Sequence, residues 1–218
     1  MNRESGCSAG KAWGWLALAV AVAAGILAAA CGGGGANEGG ETPVATPTAD
    51  SRDYTNFSPE AAMLTVDDLP PGFTEMERRP PALSGGGIVG GALFRFAPEG
   101  GGHYVFSEVV LLNNEATPVA EETLRGMMRG LSFPDVRSAT VDYPKPRSTL
   151  VVGVGSADLL DVGGPAGTDV VFEVLSFAEG RVVAMVGTAY PVNAPREPSS
   201  EALARIVLGR ILAQLGDT

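Results

Sequence analysis

Apolar and polar positions divide the chain into three regimes. Residues 12–30 carry no charge and are almost wholly apolar. Residues 32–57 contain few apolar side chains and show no period. From Ser58 onward, apolar positions alternate as in strands or recur at three- and four-residue steps as in helices. Ser58-Pro59-Glu60 reads as N-cap, first helical position and first-turn acid, predicting a short helix over 59–64. Thr65 and Asp68 have capping-box spacing ahead of Leu69-Pro70-Pro71-Gly72. Strands are predicted over 73–79 (an edge), 92–97, 104–112, 137–143 and 150–154. Residues 169–178 and 181–190 form the clearest hairpin, and its Val-rich stretches imply cover on both faces. Helices are predicted over 118–131, with Leu124, Met127, Met128 and Leu131 as the apolar stripe, and over 200–215. On the last helix Leu203, Ile206, Val207, Ile211, Leu212 and Leu215 face inward, with Arg205, Arg210 and Gln214 outside, and Gly216 is the stop. This order gives an α+β fold: a mostly antiparallel sheet built from two hairpins, with helices packed on it.

The two preceding regimes set the domain organisation. Arg3 and Lys11, an apolar centre and small residues at the end make 1–30 a secretory signal peptide. Residues 31–57 are a Gly/Pro/Thr-rich flexible linker, reaching roughly 25–30 Å as a coil, and 58–218 form one globular domain. Asp50 and Asp53 lie in that linker, where two carboxylates do not make a cation site.

Leu27-Ala28-Ala29-Ala30-Cys31-Gly32 resembles the lipobox of bacterial lipoproteins. The resemblance implies that the Cys31 thiol receives diacylglycerol, that the signal is cut before it, and that the new amine takes a fatty acid such as palmitate. Two other fates stay open. Ala28-x-Ala30 also suits ordinary signal peptidase at the same bond, and 19 uncharged residues just suffice to span a bilayer uncut.

Charge narrows the partners. The chain carries −10; without Arg3, Lys11 and Glu4, 13 basic residues face 24 acidic ones, or −11. That excludes a nucleic-acid footprint, which needs clustered cations, and disfavours adsorption on anionic lipid headgroups. The membrane contact that the lipobox resemblance implies is the lipid on Cys31. Cys7 and Cys31 are the only cysteines, so the domain has no disulfide or thiol chemistry.

Candidate chemistry is sparse. Gly85-Gly86-Gly87 and Gly90-Gly91 lack the Lys-Ser/Thr of a phosphate loop and read as a loop. His103, the sole histidine, sits in a glycine-rich hairpin connection. Ser156 stands one residue late for a nucleophile elbow, so a hydrolase would need Ser156, His103 and an acid such as Asp158 to meet in space. Asp158 with Asp161, or Glu121 with Glu122, are candidate carboxylate pairs for hydrolysis or calcium. No cofactor or metal is implied.

Met63-Leu64-Thr65-Val66-Asp67-Asp68-Leu69-Pro70-Pro71-Gly72-Phe73, the Val152-Gly153-Val154-Gly155-Ser156-Ala157 stretch and a terminal hairpin turned at Gly180 before a last helix carry a second resemblance. They resemble small exported lipoproteins of high-GC bacteria and the extracellular sensor domains of their serine/threonine kinases. The resemblance implies an α+β sandwich with a ligand-binding cleft. Together these readings point to a membrane-anchored exported lipoprotein on the extracytoplasmic face of the cell membrane, whose domain binds a small ligand or partner protein of the cell envelope without catalysis. A structural or assembly interaction protein of the envelope, and an exported hydrolase, are the alternatives.

Overall fold

The computed structural model describes residues 51–83, 85, 87–160 and 167–216. The signal segment and the linker up to residue 50, Cys31 included, lie outside them. Seven strands form one sheet: β1 (Phe73–Arg79), β2 (Ile88–Pro98), β3 (Tyr104–Leu112), β4 (Asp135–Val141), β5 (Ser148–Ser156), β6 (Asp169–Glu179) and β7 (Val182–Pro191). Their order is β1-β2-β3-β7-β6-β5-β4, with every neighbouring pair antiparallel. The fold is thus α+β, as the pattern implied, with one seven-stranded antiparallel sheet where two hairpins were expected to build it. Two meanders, β1-β2-β3 and β4-β5-β6-β7, join where β3 pairs with β7. Three helices complete it: α1 (Pro59–Ala62), α2 (Glu121–Gly130) and α3 (Ser200–Leu215).

Strand alternation sends two sets of side chains to opposite faces. On the first face Phe94, Phe96, Val105, Val109, Leu175, Phe177, Ala184 and Val186 meet α1 and the α3 stripe of Leu203, Val207 and Ile211. Ser199 caps α3, accepting from the Ala202 N–H at 3.2 Å, and Gly216 ends it at φ 79°. Full burial of each α3 anchor is worth about 1.5–3 kcal/mol, which fixes the helix to β6 and β7. On the second face Tyr104, Phe106, Phe172, Val174, Val151 and Met185 meet Leu124 and Met128 of α2 and Phe133 beyond it. The central β6–β7 hairpin is buried on both sides, which is why its sequence reads apolar at nearly every position.

Several boundaries move for identifiable reasons. The folded part starts before Ser58: Tyr54 is 6% exposed in the first core, and its hydroxyl accepts from the Arg181 N–H at 3.0 Å. Arg52 meanwhile pairs with Glu179. Gly90 and Gly91 belong to β2, not to a loop. A Cβ on Gly91 would lie 2.8 Å from Val110 and 2.9 Å from Pro81, so glycine lets residues 80–83 cross the strand closely. α2 begins at Glu121 without a side-chain cap, because Val119 is held by a 2.8 Å bond from its N–H to Ser176 Oγ on β6. β4 ends at Val141, and Tyr143 packs instead against the first core. Arg210 and Gln214, expected to point outward on α3, are tied down. Arg210 grips Asp68 at 2.8 and 2.9 Å, and Gln214 Oε1 accepts from the Ser58 N–H at 2.8 Å.

Candidate functional site

Two carboxylates occupy the interior of the sheet, one on each face, and a third is buried at one end. Glu173 on β6 lies on the first face, 4% exposed. Its Oε1 accepts from Tyr190 at 3.0 Å; its Oε2 accepts from Arg196 Nε at 3.0 Å, Arg196 Nη2 at 2.5 Å and Ser200 Oγ at 3.0 Å. Four donors satisfy the buried charge and bind β6 to β7, to residues 192–198 and to the start of α3. Burial, with the Glu173 charge beside it, pushes the Tyr190 phenol up to about 12. Glu179, at the far end of β6, takes Arg52 and Lys145. Burial pushes its carboxyl up, but those two cations outweigh burial and hold it below the usual range.

Glu108 on β3 points to the second face and is 1% exposed. Its Oε1 accepts from the Leu83 N–H at 2.7 Å, pinning residues 82–83 over the sheet. Its Oε2, like Arg95 Nε on β2, has no hydrogen-bond partner among the described residues. Burial raises this carboxyl to about 7, against the pull of the Leu83 and Ala82 N–H groups and Arg79. Arg95 itself reaches Glu77 at 2.7 Å and lies over the Tyr104 ring, 5.2 Å from its centroid.

The solvent-facing part of the first face lies beyond α3. Register across the sheet puts Thr188, Glu173, Val152 and Arg137 in one row, and Val186, Leu175, Leu150 and Ala139 in the next. α3 packs on the β6 and β7 members of these rows. The β5 and β4 members stand outside it: Val154 is 40% exposed, Val152 and Leu150 are half-buried, and Asp135, Arg137 and Ala139 are exposed. The result is an aliphatic shelf, walled by the Glu173–Arg196 pair on one side and open along β4 on the other. Tyr143 closes one end, near enough to Arg196 to act on its charge. Arg137 forms no ion pair among the described residues.

The residues singled out in the sequence fare differently. Ser156 and Asp158 meet, Ser156 Oγ donating to Asp158 Oδ2 at 3.3 Å. His103 lies beside β3 at the same end of the sheet, but β7 and β6 stand between it and β5. Three strand spacings amount to about 14 Å, so no triad assembles; burial lowers the His103 pKa. Glu121 binds Arg125 and Ser138 on the surface of α2. Asp161 lies outside the described residues. Met128 is core and Met127 packs against it, as the apolar stripe of α2 implied. Glu108, Glu173, Arg137 and Arg196 were not identified from the sequence; the signal available was an acid in the middle of an otherwise apolar strand, as in 104–112 and 169–179.

No protein-family model and no curated protein matches the chain. Among solved structures it is similar to the extracellular domain of PknH from Mycobacterium tuberculosis. That likeness covers 74% of this chain and 98% of that one, at 11% identity and a TM-score of 0.38. Agreement that loose carries no argument about function. Among the described residues, no group of three or more His, Cys, Asp or Glu could hold a metal ion, and no helix is long and apolar enough to cross a membrane.

Proposed function

We propose that the chain is an exported lipoprotein, anchored through Cys31 to the extracytoplasmic face of the cell membrane, whose domain binds a small ligand or partner protein of the envelope without catalysis. The anchor rests on the sequence alone: a charged start, an apolar centre and Ala28-Ala29-Ala30-Cys31-Gly32, followed by a spacer that would hold a −8 domain away from an anionic surface. The observation that carries binding is the aliphatic shelf of Leu150, Val152 and Val154 left outside α3 beside two arginines. Apolar surface with a few polar groups at its rim is what a binding face requires.

Intact mass of the membrane fraction tests the anchor. A diacylglycerol-bearing Cys31 terminus is expected, and Cys31→Ala should move the protein out of that fraction; an unmodified Cys31 amine in the medium would refute it. A photocrosslinker placed at Val154 tests binding in intact membranes. An adduct heavier than the chain is expected at 154 and none from Arg129 on α2. Absence of any adduct at 154 would refute the binding reading.

A further inference from the structure

The sheet ends in two edges of opposite character. β1 is interrupted: its register shifts between Glu75 and Glu77, leaving Met76 as the extra residue, 52% exposed. Its charges are engaged, Arg78 with Glu75 and Arg79 with Glu77. A bulge and dense charge are how proteins block strand addition. β4 has neither. All seven residues pair with β5 in unbroken register, Asp135 with Val154 through Val141 with Ser148. Among the described residues no backbone hydrogen bond leaves its outer side for a loop or turn. We propose that β4 receives an extended peptide segment of a partner protein as an eighth strand, a reading that rests on the binding function above and specifies its partner.

The side chains of β4 define that segment. Val136 and Ser138 turn toward α2, where Ser138 meets Glu121 and Arg125. Asp135, Arg137 and Ala139 therefore share the shelf face. An added residue opposite Arg137 meets a guanidinium with no ion partner among the described residues, which selects an acid. Two positions along, the residue opposite Ala139 finds a side chain too small to shield Leu150 behind it, which selects a long apolar residue. The domain's own net charge, 12 basic against 20 acidic residues over 58–218 or −8, opposes further acids. The partner motif is one acid and one large aliphatic residue two positions apart, in an otherwise uncharged β-forming segment. A second copy of this chain fits less well. The two-fold pairing that uses all seven residues centres on Ser138 and sets Arg137 opposite Ala139. The pairing that sets Arg137 opposite Asp135 centres on Val136 and brings Pro134, which has no N–H to donate, opposite Ser138.

Amide hydrogen exchange of the full chain in detergent, with and without the peptide Thr-Val-Thr-Leu-Thr-Glu-Thr-Val-Thr, whose antiparallel pairing sets Glu opposite Arg137 and Leu opposite Ala139, tests the assignment. Slowed exchange confined to 135–141 is expected. Arg137→Glu should weaken binding of this peptide about tenfold and favour the version with Lys in place of Glu by a similar factor. Far-UV circular dichroism checks that Arg137→Glu is folded, and Arg137→Gln, intermediate for both peptides, serves if it is not. No protection at 135–141, protection elsewhere, or concentration-dependent protection there without peptide would overturn the proposal. None of these results bears on the crosslink from position 154, so failure of the edge and failure of binding are read separately.

Discussion

Replacing Glu108 by Gln should remove most of the pH dependence of stability between pH 5 and pH 8. The carboxyl is 1% exposed, and burial raises it from an ordinary 4.5 to about 7. The folded state therefore holds a proton that the unfolded chain has released. Such a group adds stability that is full below the unfolded pKa and is lost as pH rises through the folded one. With these two values the loss from pH 5 to pH 8 is about 2.5 kcal/mol, since each tenfold difference in proton affinity between the two states is worth about 1.36 kcal/mol. His103 works in the opposite direction, because burial lowers its pKa and it favours folding as pH rises. Glu179 is held low, so its contribution is lost only as pH falls below the ordinary carboxylate range. Both are common to the two proteins, and the difference between them isolates Glu108. Urea unfolding followed by far-UV circular dichroism measures it. Wild type should lose about 2.5 kcal/mol more than Glu108→Gln between the two pH values; pH profiles that run parallel within about 0.5 kcal/mol would refute a buried, neutral-pH carboxyl.

Gly187→Ala should be among the most damaging single-methyl changes. The new Cβ would stand 1.8 Å from Phe106 Cε1, and moving that ring out of its contacts with Tyr104 and Phe172 should cost about 3 kcal/mol, read as a lowered Tm. Arg196→Met should destabilise by about 1–3 kcal/mol by denaturant titration, since it strips two of four donors from buried Glu173 while its own half-exposed charge contributes little. Adding Glu173→Gln to that variant should recover part of the loss; a double variant worse than the sum of the singles would contradict the pairing.

The contrast between the two buried acids shows what local sequence can carry. Strand existence, the α3 stripe with its Ser199 cap and Gly216 stop, and burial of the β6–β7 hairpin on both sides follow from periodicity and capping, which involve neighbours in the chain. So does the apolar run ending at Cys31, whose fate is decided outside the fold. Glu108 and Glu173 look alike on that scale, each a lone acid in an apolar strand. Tertiary structure separates them: Arg196 and Ser200, more than twenty residues away, reach Glu173, whereas Glu108 receives only N–H groups from residues 82–83 and keeps one oxygen unpartnered among the described residues. The glycines at 90 and 91 are likewise strand because they pair with Leu111 and Val110 of β3, some twenty residues on. The shelf and the open β4 edge were invisible in the sequence for the same reason. Val152 and Val154 read as ordinary core until the strand order puts β5 and β4 beyond the reach of α3. Sequence alone determined most of the strand and helix segments, because capping and periodicity involve neighbours in the chain; tertiary structure decided which apolar and charged groups were left without a partner, because that depends on contacts between residues far apart in the chain.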